Sequence, residues 1–194
     1  MLSWPPPAWV RKVEVATILG VFAEAFDVDP PAVEGLSADE ALFVFREFTA
    51  ACMEEALADE QVAAMYRARL GAHGLTLGTK LRNVLNVRAE SSFAFAQFVY
   101  RGIGIELSAD ESGGLRFGPC YFSERYTPED CWFMSAFDEG FLRGIMRIEG
   151  SLCFNCRLTE GAACCRAELK QDDGRWLKNQ LTARGRSRTR AAGR

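Results

Sequence analysis

Apolar residues recur at intervals of three and four from Ala8 onward, with Val15, Ile18, Leu19, Phe22 and Phe26 on one side of the repeat. That period marks an amphipathic helix, and the spacing predicts one over residues 8–26, entered through the stiff Pro5-Pro6-Pro7 run. The stretch DVDPPAVEGLS ends it. Ser37 and Glu40 then form a capping-box pattern ahead of ALFVFREFTAACMEEALA, a second helix. A third, shorter helix is expected over residues 60–70, where GAHGLTLG interrupts the pattern, and a fourth over residues 79–100.

Beyond residue 100 the period changes to two. Ile103, Ile105 and Leu107 alternate against Leu115 and Phe117 around a Gly-rich turn, which predicts a β-hairpin. Thr127-Pro128 opens a fifth helix whose Phe133, Phe137, Phe141 and Ile145 make a buried stripe. The last patterned stretch, SLCFNCRLTEGAACCRAEL, alternates again and predicts a second hairpin. N-terminal helices followed by hairpin, helix and hairpin make an α+β fold with an antiparallel sheet. The chain divides on this reading into a helical part (1–76), an α+β part (77–174) and a basic tail (175–194).

That second hairpin holds four of the seven cysteines. Cys153-x-x-Cys156 followed by Cys164-Cys165 has the spacing of a metal knuckle. With Glu160-Gly161 as a two-residue loop, however, Cys156 faces Cys165 on the side of Leu152, Phe154 and Ala167. Cys153 and Cys164 then fall on the opposite side with Asn155, Arg157 and Glu168. Tetrahedral thiolate ligation needs all four sulfurs within about 2.3 Å of one ion, and the alternation divides them. A hairpin is expected, without a metal.

Composition adds three points. Apolar residues make up 48% and charged residues 25% of 194, enough for a core that needs no staples. The net charge of −3 gives no reason to expect a nucleic-acid partner, although the tail from Arg175 onward is basic, free of acids and expected to be disordered. No export signal or membrane-length apolar run is evident, and the cysteine count is odd, so the expectation is a cytoplasmic chain with free thiols. P-loop, dinucleotide, HExxH and GxSxG patterns are missing, and no cofactor is expected.

The segments CYFSERYTPEDC, MSAFDEGFLRG and LTEGAACCRAEL resemble the L-2-amino-thiazoline-4-carboxylic acid hydrolase family. The likeness covers residues 117–169 and falls on Cys120, Cys131, Asp138, Gly161 and Cys165. A similar strand–helix–hairpin with cysteines near these places resembles the 4-vinyl reductase domain family of small-ligand binders. The first resemblance implies ring-opening hydrolysis of a small cyclic amidine-like carboxylate to an N-carbamoyl cysteine; the second implies a binding or sensor domain.

Ring opening needs an attacker on C2, a proton for the departing sulfur and a cation for the carboxylate. Either water activated by a carboxylate or a thiolate could attack. Cys131 and Asp138 lie seven apart, hence on one helix face at roughly 10 Å, with Ser135 between them. Asp138 is either a desolvated acid/base beside Phe137 and Phe141 or a solvated carboxylate. Cys120 follows Gly118-Pro119, where a bulge re-aims a strand-end side chain. Cys120, Asp138 and Cys131 are therefore the candidate catalytic residues. Cys165 and Arg143 are the candidate substrate contacts, with Arg125 and Arg147 as further nearby cations. The sole histidine, His73, lies far from these motifs in sequence, which argues against a Cys–His dyad.

Overall fold

Capping chemistry sets the helix starts. In the computed structural model, which describes residues 6–110 and 113–170, α1 (Ala8–Phe26) buries the predicted face of Val15, Ile18, Leu19, Phe22 and Phe26. The Ser37 hydroxyl accepts from the Glu40 N–H while the Glu40 carboxylate accepts from the Ser37 N–H, opening α2 (Ala38–Leu57). Asp59 accepts from the N–H groups of Gln61 and Val62 at the start of α3 (Glu60–Val84). The next helix, α4 (Ala89–Gly102), ends at Ile103. Thr127 and Asp130 repeat the reciprocal cap at the start of α5 (Pro128–Met146).

The helix boundaries expected in the middle of the chain are wrong. GAHGLTLG lies inside α3, which runs on to Val84, and residue 76 falls within that helix. The actual break is at residues 85–88, where Asn86 takes the left-handed conformation at φ 49°. Gly71, Gly74 and Gly78 are not breakers because they form a contact face. A Cβ on Gly74 would stand 2.6 Å from the Phe137 carbonyl oxygen, and one on Gly78 2.4 Å from that of Phe141. From the other side, a Cβ on Gly140 would meet the Gly71 oxygen at 2.0 Å. Close backbone packing of α3 on α5 outweighs the low helix propensity of glycine, roughly 1 kcal/mol each. Gly140→Ala should therefore cost about 1–3 kcal/mol through overpacking. Gly20→Ala in α1, where a Cβ meets nothing within 4 Å, should be neutral or stabilising. Urea unfolding of the two variants checks this; equal effects would contradict the packing account.

The sheet is antiparallel, with strand order β1 (Ile105–Ala109), β2 (Leu115–Cys120), β4 (Cys165–Lys170), β3 (Ser151–Cys156). Ile103, expected in the first strand, instead caps α4. Ile105, Leu107, Leu115, Phe117, Leu152 and Ala167 are buried among the helices, while Glu106, Ser108, Arg116, Glu168 and Lys170 are exposed. The second hairpin keeps the expected register from Ser151↔Lys170 to Phe154↔Ala167. It does not close with a two-residue loop. Residues 157–164 form a longer connection containing a 3-10 turn over Leu158–Glu160, with Gly161 in the left-handed region at φ 85°. Phe133, Phe141 and Ile145 of α5 are fully enclosed and make the centre of the core with Phe22 and Phe45. The fold is α+β, N-terminal helices followed by hairpin, helix and hairpin. Among the described residues no helix is long and apolar enough to cross a membrane. The basic tail lies outside the described residues.

Candidate active site

Cys120, Cys131, Asp138 and Cys165 line a single cavity of about 70 Å³. Its walls come from α1, α2, α5 and the sheet, with Phe22, Phe45, Phe117, Phe137 and Phe154 among the apolar lining. Cys131 and Asp138 share one face of α5 as their spacing requires. The residue between them on that face is Met134; Ser135 turns toward α3, where Arg67 donates to its hydroxyl at 3.2 Å.

Two β-bulges complete the wall. On β2 the pairs Leu107↔Phe117 and Ile105↔Cys120 show one extra residue on β2, falling at Gly118-Pro119, where Gly118 takes φ 141°. Because strand faces alternate with period two, one inserted residue carries Cys120 to the face of Phe117. This is the re-aiming expected from Gly-Pro. On β3 the pairs Phe154↔Ala167 and Cys156↔Arg166 show a second extra residue. It brings Arg157, expected on the solvent face, into the cavity wall behind Phe154. Cys156, expected inside, is displaced, and its thiol meets the Cys164 carbonyl oxygen at 3.5 Å. Cys164, expected outside, is buried in the loop beside Gly118.

The protonation states of the cavity's groups follow from their burial. Asp138 faces the cavity with its carboxylate accepting from the Tyr100 hydroxyl at 2.8 Å. Burial pushes its carboxyl up to about 6, with the Tyr100 hydrogen bond pulling the other way. The same burial pushes the Cys120 thiol up to about 12, more than the Phe122 N–H can offset. Cys131 rises to about 11 by the same burial, with the nearby Thr159 hydroxyl opposing the shift. Cys165 is also raised by burial although the Leu158 N–H donates to its sulfur at 3.3 Å. At neutral pH all three are S–H groups, and Asp138 is the carboxyl that burial moves toward neutrality.

Arg157 is the cation that sequence reasoning missed. Its side chain is only 16% exposed, Nη1 holds Glu160 Oε1 at 3.1 Å, and its guanidinium lies 5.5 Å over the Phe154 ring. Its buried Nε has no hydrogen-bond partner among the described residues, so one donor at the cavity wall is unspent. Nothing in the local sequence signals the β3 bulge that turns it inward. Arg143 stands elsewhere, 3.6 Å from Glu139, in a surface groove between α3 and α5. Arg125 pairs with Glu47 and Arg147 caps α5. His73 faces Glu24 at 3.7 Å and does not line the cavity. Among the described residues no three His, Cys, Asp or Glu side chains converge on a metal position.

No family model, curated protein or solved structure matches this chain.

Proposed function

We propose that this cavity is the active site of a hydrolase that opens a small heterocyclic carboxylate such as a 2-amino-thiazoline-4-carboxylate. The observation that carries the reading is Asp138, a carboxyl buried among phenylalanines yet facing the cavity, with Arg157 on its wall. A general base works best when its pKa lies near the working pH, and burial has moved Asp138 in that direction.

Water attacks C2 while the Asp138 carboxylate takes its proton. The new C–O bond forms as the C2=N electron pair moves to the ring nitrogen, which takes the second proton of the water. C2=O then forms as the C2–S bond breaks, and Asp138 returns the first proton to the departing sulfur. The product is an N-carbamoyl cysteine with a free thiol, and Asp138 ends in its starting state. Arg157 holds the substrate carboxylate through its unspent N–H. Tyr100 fixes the Asp138 carboxylate by its hydrogen bond. The raised thiols favour this water route over a covalent one, since the thiol form is a poor nucleophile. Cys120, Cys131 and Cys165 then act as soft lining against the ring sulfur.

The same raised thiols and the mostly apolar lining favour a second reading, a non-enzymatic small-ligand-binding domain of the 4-vinyl reductase type. Thiol release from 2-amino-thiazoline-4-carboxylate separates the two. The hydrolase reading expects steady release by the wild-type protein, and release within a few-fold of it by Cys120→Ser. Release that collapses in Cys120→Ser would mean a covalent route. Binding of an apolar ligand with no release from this or related heterocycles would leave the binding domain.

A further inference from the structure

A second groove of about 240 Å³ runs between α1, α3 and α4, on the other side of Ile18 from the first cavity's phenylalanines and walled by Trp9, Val13, Leu81, Phe95, Phe98 and Val99. One ionisable side chain, Glu14, lines it. Both Glu14 carboxyl oxygens are buried without a hydrogen-bond partner among the described residues. The carboxyl packs against Gly102, where a Cβ would stand 1.7 Å from Glu14 Oε2. It thus occupies the space left by a missing side chain at the last residue of α4, where a helix exposes its carbonyl end. The nearby cation Arg11 is committed elsewhere, with Nε donating to the Gly102 oxygen at 3.2 Å and Nη2 to Asp39 at 2.8 Å. A buried, unpartnered carboxyl next to carbonyl dipoles is costly in its ionised form unless a donor arrives.

We infer that the groove binds an aliphatic primary ammonium ion, its head paired with Glu14 and its chain laid along the apolar walls. Charge complementarity selects this occupant. An ammonium supplies N–H donors to both carboxyl oxygens, and beyond Glu14 and the Thr17 hydroxyl, which is spent on the Val13 carbonyl oxygen, the walls are apolar. Both oxygens are covered when the groove is empty, so the proposed pairing requires the Glu14 side chain to turn away from Gly102 into the groove.

Calorimetric titration of the full chain with hexylamine and with hexanol at about pH 9, where the Glu14 carboxyl, raised to about 8, is ionised and the amine keeps its proton (an alkylammonium holds it to about pH 10), tests this, the Trp9 indole N–H resonance reporting the location. Hexylamine should bind at least about tenfold more tightly than hexanol and shift the Trp9 resonance. In Glu14→Gln the amine should lose that advantage while hexanol binding is kept. Leu81→Trp, which fills the groove, should remove both. Equal affinity for amine and alcohol in the wild type, amine binding that leaves Trp9 unmoved, or no binding of either would overturn the inference without any variant.

Discussion

Asp138→Asn should remove about 10²–10⁴ of the ring-opening rate, the usual contribution of a positioned acid/base group. It should do so without loosening the fold. Asparagine keeps the shape and still accepts from the Tyr100 hydroxyl that now donates to Asp138 Oδ1. The sign of the stability change is also fixed. The folded carboxyl titrates at about 6 and the unfolded one near 3.8, so the folded state holds its proton more tightly. Stability from that proton is fully present below the unfolded value and is lost as pH rises toward about 6. Above that window the wild type carries a buried charge that Asn lacks, so the variant's melting temperature should be equal or higher. Lost turnover with a raised melting temperature is hard to obtain from general damage. Lost turnover with a fall of many degrees would mean that Asp138 is structural.

Wild-type protein should lose stability steadily between about pH 4.5 and 8, and Glu14→Gln should abolish most of that slope. Burial raises the Glu14 carboxyl to about 8, with the Arg11 charge opposing. The folded state again binds the proton more tightly, so the stabilisation present below the unfolded pKa is lost as pH rises through the folded one. A shift of that size corresponds to roughly 5 kcal/mol at its limit, at about 1.4 kcal/mol per unit. Relaxation and water entry at the groove reduce the realised value to several kcal/mol. Urea unfolding of both proteins across this range measures it. Parallel curves for wild type and Glu14→Gln would mean that the carboxyl is solvated.

Much of this fold was legible because its signals are local. The caps at Ser37 and Thr127, the α1 stripe and the Phe133–Phe137–Phe141 face are each set by residues within a few positions of one another. The α3 boundary was not legible, because the glycines that read as breakers are explained only by Phe137, Phe141 and Gly140 on a helix some sixty residues away. Cys120 was legible from Gly118-Pro119. Arg157 was not, because its inward turn depends on a bulge defined by pairing with β4 and carried by ordinary residues. The same shift misplaced Cys156 and Cys164 while leaving Cys165, anchored opposite Phe117, where alternation put it. Alternation is reliable until a strand gains a residue, and gains are set by partners.

The pH dependence of kcat/KM for thiol release from 2-amino-thiazoline-4-carboxylate tests the central claim most directly, since it reports the essential groups of the free enzyme. With Asp138 as the base, the rate should climb about tenfold per pH unit below 6 and level off above it, following the carboxyl's position at about 6. A profile that keeps rising through the alkaline range would assign the attack to a thiolate such as Cys131 or Cys120, which burial holds at about 11 and about 12. No release at any pH would contradict the hydrolase account altogether.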